Sequence, residues 1–150
     1  MSDSNIARVN FALAQIVTDS LELHPELFDE EKPVSINFAI DFGIDSRQHL
    51  LKVLFKNLFL QDETPFITIE AGCIFAIDPS SWSHFCSKDN TSFVLPSNFA
   101  GYLATLTAGT ARGILHSRSE NTPLNRFVIP VHNLEDIIKE SVVLQLEPLS

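Results

Sequence analysis

The sequence predicts an α+β fold: a four-stranded antiparallel sheet with a long and a short helix packed on one side of it. Three observations carry this reading. Runs with two-residue apolar alternation fill the first half of the chain. Near residue 97 the apolar spacing changes to three and four residues, the period of a helix. No strand–helix–strand alternation is present, so the helices fall on one face of an antiparallel sheet rather than on both faces of a parallel one. The strands are placed at about 6–78 and the helices at about 97–147, in a single domain spanning residues 1–150, long enough for a core of its own.

The first strand is read from Ala7 to Leu23, with Val9, Phe11, Leu13 and Val17 on one face. Glu22 to Pro33 is a loop in which Leu27 and Phe28 sit among acids. In the second strand Ile36, Phe38, Ile40 and Phe42 alternate with Ser35, Asn37, Ala39 and Asp41, the pattern of a half-buried strand. A turn around Gly43 separates it from His49–Leu60, where Leu51, Val53, Phe55 and Phe59 oppose Leu50, Leu54, Leu58 and Leu60. Leu and Lys also favour helix there. The short turns on either side favour strand. Thr64 to Ile77 is the fourth strand, and Gly72 within it marks a bulge or a close backbone approach. Asp78 to Leu95 reads as an irregular connection leaving the sheet.

From Ser97 one stripe runs Phe99, Leu103, Leu106, Thr110, Ile114, with Ser97 or Asn98 as the cap. A second stripe of small residues, Ala100, Ala104, Ala108 and Ala111, would let a neighbour approach closely, either the chain's own sheet or a partner helix, and is assigned as an oligomer helix seam. A linker bracketed by Pro123 and Pro130 follows. The last helix begins after Asn133, with Asp136 in its first turn and Leu134, Ile137, Ile138 and Val142 on its apolar face.

Composition excludes several classes. With 45% hydrophobic and 19% charged residues the chain is globular, and its net charge of −9 opposes nucleic acid and anionic membrane surfaces. Twelve Phe against one Trp and one Tyr supply large apolar surfaces with no polar atom to satisfy. No apolar run reaches the ~18 residues a membrane span needs. The N-terminus lacks the pattern of a secretory signal, so Cys73 and Cys86 are read as thiols and the protein is placed in the cytoplasm. Phosphate loops, nucleophile elbows and zinc-protease motifs are absent, and no enzyme, cofactor or metal is expected. His84 and Cys86 could give zinc two ligands, but a loop histidine and an ordinary thiol account for them as well.

Two apolar loops remain unexplained: Leu27 and Phe28, and Phe127, Val128 and Ile129. Apolar loops beside a helix face could line a groove for extended apolar peptide, binding by burial without demanding a particular sequence.

Several segments in register carry a family resemblance. Phe11-Ala-Leu-Ala-Gln-Ile-Val-Thr18 and Gly72-Cys-Ile-Phe-Ala-Ile77 lie in its first and fourth strands, the latter as "Gly-x-Ile-Phe-x-Ile". Ala100-Gly-Tyr102 stands at "Phe-Pro-Tyr", followed by Ala111-Arg112 to Leu115, Pro123-Leu124-Asn125 and Pro130-Val131. In this order they resemble the SecB family of bacterial export chaperones. The resemblance implies a crossover loop between the first two strands and assembly as a dimer of dimers. It also implies ATP-independent holding of unfolded polypeptide in a groove. By family position that groove comprises Leu27, Phe28, Phe127, Val128, Ile129, Ile137, Ile138 and Val142. Where the family carries docking acids for the export ATPase, this chain has Ser20 and Thr68, with Asp19 and Glu70 nearby, so ATPase binding is expected to be weak or absent. The chain also ends without the family's longer polar tail. A diverged holdase is the expectation; the alternative is an adaptor of the same fold serving one partner such as an antitoxin.

Overall fold

A computed structural model describes residues 9–146. Residues 7 and 8 of the expected first strand and residue 147 of the expected last helix lie outside the described residues.

Four strands, β1 (Phe11–Leu23), β2 (Ser35–Asp45), β3 (Leu50–Gln61) and β4 (Thr64–Ile77), form one antiparallel sheet in the order β1-β4-β3-β2. The α+β class and the four-stranded antiparallel sheet are therefore as the sequence predicts. Strands β2, β3 and β4 follow one another through hairpins, while β1 lies against β4 in a Greek-key order. Consequently β1 and β2 occupy opposite edges, and the loop joining them must cross the ends of β4 and β3. The 50–61 segment is a strand, as its short turns imply. Its tight β3–β4 turn holds Asp62 and Glu63 at φ 50° and 65°, the left-handed pair that a two-residue hairpin loop requires.

Leu51, Val53, Phe55 and Phe59 of β3 and Ile67, Ile69, Ala71, Cys73, Phe75 and Ile77 of β4 are all buried on one face. Period-two alternation sends these side chains to the same side, and helix α2 (Ser97–Arg118) lies over them. Gly72 is a close approach: a Cβ there would sit 3.0 Å from the Val53 carbonyl oxygen and 3.2 Å from a Val17 methyl. The irregularities in pairing fall away from Gly72, in β1 at Leu13/Gln15 and Thr18/Ser20, and in β4 at Phe66, which is the extra residue opposite Phe59 and Leu60.

Three expectations are corrected. The connection after β4 is not irregular. Asp78 accepts from the Ser80 amide and caps helix α1 (Pro79–Phe85), whose Trp82 and Phe85 enter the core, and strand β5 (Ser92–Leu95) follows. An Asp cap with Pro in the first turn is a helix start that alternation alone does not reveal. The short helix α3 (Leu134–Ile137) is a single turn, and Val142 lies beyond it in strand β6 (Val142–Gln145), opposite Leu95 of β5. Finally, Ala100, Ala104, Ala108 and Ala111 are 0–3% exposed inside the chain's own core. Their methyls seat α2 against its own sheet and leave no seam for a second chain.

Candidate functional site

The crossover loop is tied down where it passes over the β3–β4 hairpin. The His24 amide donates to the Phe66 carbonyl (2.9 Å), and residues Pro25–Leu27 form a 3-10 turn. The buried Gln61 amide then fixes the loop. Its Nε2 donates to the carbonyls of Asp29 (2.7 Å) and Lys32 (3.0 Å), and its Oε1 accepts from the Asp29 amide (2.9 Å). Lys32 adds an ion pair with Asp62 at 3.0 Å. These bonds leave Leu27 outward, 49% exposed, and turn Phe28 inward.

The linker reaches the same place from the other side of the molecule. Helix α2 ends at Arg118 with Ser119 as its C-cap, and Asn125 Nδ2 donates to the His116 carbonyl (2.9 Å) and to Ser119 Oγ (3.1 Å). The Pro-Leu-Asn motif is thus a helix stop, satisfying one of the carbonyls that a helix end leaves without a partner. A 3-10 turn (Pro123–Arg126) buries Leu124 and delivers Phe127 to the sheet end.

There Phe28 and Phe127 meet. Their ring centroids are 5.2 Å apart, and each lies close to Phe66, at 5.1 and 5.2 Å respectively. Phe59 completes the cluster at 5.5 Å from Phe127. The Arg126 guanidinium carbon stands 4.6 Å from the Phe28 centroid and 5.1 Å from that of Phe127, with Glu30 3.8 Å from the guanidinium. Edge-on and tilted ring contacts at these distances are favourable, and the cation over the two ring faces adds to them. Val128 of the linker is 54% exposed and Val131 86%.

The other sequence-predicted groove residues do not join this cluster. Ile129 is 1% exposed and serves the core. Arg112 of α2 holds the linker beside it, donating from Nε to the Ile129 carbonyl (2.7 Å) and from Nη2 to that of Pro130 (3.0 Å). Farther along the same helix Gly101 lies against Glu135, where an added Cβ would be 2.7 Å from the Glu135 Cα. Residues 101 and 112 are separated by about 16 Å of helix, at ~1.5 Å per residue. Ile137 (53% exposed) and Ile138 are therefore displaced toward the opposite end from Phe28 and Phe127. Val142 is partly buried in β6.

On the open face of the sheet, Glu70 pairs across strands with Ser20 on one side and Lys56 on the other. Asp19, beside the β1 irregularity, accepts from Lys52 Nζ at 3.0 Å. Both candidate docking acids thus lie beside lysines of β3. Cys73 is buried with its thiol 3.6 Å from Thr110 Oγ1, and burial raises the Cys86 thiol pKa. Among the described residues no three His, Cys, Asp or Glu side chains come together to hold a metal ion, and no helix is long and apolar enough to cross a membrane.

Sequence reasoning did not single out Arg126, Gln61, Arg112 or Asn57. Arg126 directly precedes Phe127, and a cation beside an aromatic is a signal that could have been used. Gln61 and Asn57 interrupt the alternation of an apolar strand, which is also visible in sequence.

No protein-family model matches the chain, and no curated protein does. Among solved structures, it is similar to the Mycobacterium tuberculosis SecB-like chaperone Rv1957, in complex with a ChAD peptide from the antitoxin HigA1 (Rv1956). The match has 9% identity, a TM-score of 0.40, and covers 86% of this chain and 95% of that one. At that level of likeness, function has to be argued from the residues.

Proposed function

We propose that the protein is a holdase that binds unfolded, apolar polypeptide without nucleotide, at the surface where the crossover loop meets the linker. One observation carries this reading: two loops remote in sequence converge to present Phe28 and Phe127, with Leu27 and Val128 exposed beside them. Such a surface binds by removing apolar area from water, at ~25 cal/mol per Å², and makes few demands on client sequence. The test is suppression of aggregation of an unfolded client in the absence of nucleotide, by wild type and by Phe28→Ser and Phe127→Ser. Loss of holding beyond any loss of stability supports the reading. Equal holding by wild type and both variants overturns it.

A second reading, an adaptor for one partner such as an antitoxin, is favoured by the separation of Ile137 and Ile138 from the aromatic cluster, which leaves compact patches rather than one long channel. Competition among unrelated unfolded proteins distinguishes the two, since a holdase is competed by all of them. The single-domain, cytoplasmic placement and self-assembly as a dimer of dimers belong to the same proposal. With the alanine stripe buried, self-association would use the exposed Leu13 and Ile16 of β1 and Tyr102 and Leu106 of α2. The lysines beside Asp19 and Glu70 support weak or absent binding of the export ATPase. A micromolar complex by calorimetry would overturn that.

A further inference from the structure

We propose that Asn57 is the main-chain anchor of the polypeptide site, and that residues 129–133 are a strap lying over it which an extended peptide displaces. This rests on the polypeptide-binding reading above and names how that site grips its client.

Asn57 is 0% exposed in the middle of β3, on the core face between Phe55 and Phe59. Neither its amide nitrogen nor its amide oxygen has a hydrogen-bond partner. The strands on either side cannot supply one, because its cross-strand neighbours are Phe38 on β2 and Ile69 on β4. Leaving a buried amide unpaired is costly, and such groups in a folded protein call for an explanation.

Phe127, just before the strap, and His132 within it bracket this residue. The Phe127 ring is 5.5 Å from Phe59, and the His132 ring lies 4.2 Å from Phe38, the cross-strand neighbour of Asn57. His132 Nε2 is likewise buried with no partner. Between these contacts the strap forms neither helix nor strand; Arg112 holds two of its carbonyls, and Asn133 at its end donates from Nδ2 to Asp136 Oδ2 (2.8 Å). Pro130 within it has no N–H to give to the Asn57 oxygen.

The identity of the ligand follows from the chemistry of the amide. An Asn side chain presents one carbonyl acceptor and an NH₂ donor, the same pair a peptide unit presents. An extended main chain brought over β3 could satisfy both, where the proline-containing strap satisfies neither. The strap sequence Ile-Pro-Val is itself extended and apolar, so it occupies the position of a client while leaving the polar floor unpaired. A bound peptide with free amides would relieve that, which favours exchange of strap for client.

The test uses the full chain and a fluorescein-labelled peptide of alternating valine and serine flanked by lysines, alongside the same peptide N-methylated at alternate amides. Binding is read by anisotropy, and stability by thermal melting. Wild type is expected to prefer the unmethylated peptide roughly tenfold, the value of about one hydrogen bond. Asn57→Leu is expected to melt higher, bind the unmethylated peptide roughly tenfold more weakly, and no longer distinguish the two peptides. Asn57→Val serves if the leucine overpacks. Arg112→Met is expected to speed hydrogen exchange of residues 129–133 and to tighten peptide binding by loosening the strap. If the Asn57 variants keep wild-type affinity and discrimination, Asn57 is a core residue only and the anchor is refuted. If Arg112→Met leaves exchange and affinity unchanged, the strap is refuted. If wild type binds neither peptide, the polypeptide-binding reading itself falls, and the anchor with it.

Discussion

Replacing Phe28 with Ala tests whether the crossover loop is docked on the linker. The ring is partly buried, with Phe66 at 5.1 Å, Phe127 at 5.2 Å and the Arg126 cation at 4.6 Å. A fully buried Phe→Ala costs about 3–5 kcal/mol, and an exposed loop substitution stays within about 0.5 kcal/mol. Partial burial with two ring contacts, each worth about 0.5–1.5 kcal/mol beyond its area, places Phe28→Ala near 2 kcal/mol. Urea denaturation reads this as a fall in midpoint at unchanged slope. Phe66→Ala, at a site only 1% exposed, provides the core reference at about 3–5 kcal/mol. A double-mutant cycle of Phe28→Ala with Arg126→Met is expected to return a coupling of about 0.5–1 kcal/mol from the cation over the ring. A cost below about 0.5 kcal/mol would mean that the ring does not rest on Phe66 and Phe127. A cost equal to that of Phe66→Ala would make Phe28 a core residue and remove it from the binding surface.

Three further outcomes are expected. Gly101→Ala places a methyl 2.7 Å from the Glu135 Cα, so α3 must shift; overpacking of about 1–3 kcal/mol outweighs the ~1 kcal/mol gain in helix propensity, and thermal melting should fall. Glu63→Gly relieves a left-handed residue at φ 65° and should raise the melting temperature by the equivalent of about 1 kcal/mol, with Asp62 kept for its pair with Lys32. His24 lies between Glu22 (3.1 Å) and Glu26 (3.4 Å), and the hydrogen bond to Glu22 raises its pKa above 6.5. Because the folded value is the higher one, its stabilisation is complete below the unfolded pKa and is lost as pH rises through the folded pKa. His24→Gln should flatten stability across that window, and an unchanged pH profile would refute the clamp.

The sheet was legible because each strand announces itself. Ile36 to Phe42 keeps strict alternation, whereas Leu51 to Phe59 is largely apolar on both faces and reads as a strand from its short flanking turns; one face of each meets the core. What alternation cannot convey is a single helical turn or a four-residue strand. Ser92–Leu95 and Val142–Gln145 are too short to show a period, and they form because they pair with one another. The alanine stripe was correctly seen as a place of close approach, but the sequence does not say what approaches. The partner is the chain's own Phe-rich sheet. Likewise Ile129 and Val128 are adjacent apolar residues in one linker, yet one is 1% and the other 54% exposed. That difference is set by how Arg112 holds the carbonyls of Ile129 and Pro130.

The candidate site depends on topology more than on any motif. Because β1 and β2 occupy opposite edges, the chain between them must cross the end of the sheet formed by Gln61, Asp62 and Phe66. Because α2 runs from the Phe11 end toward that same end, its Asn125 stop releases the linker beside the crossover loop. Phe28 and Phe127 are thus brought together by two independent constraints, the Gln61 clamp and the Asn125 cap, neither of which uses an aromatic residue. Breaking either one should separate the rings without touching them. Gln61→Ala and Asn125→Ala are therefore expected to weaken the Phe28–Arg126 coupling measured above. The same coupling surviving in both variants would show that the aromatic cluster holds the loops, and not the loops the cluster.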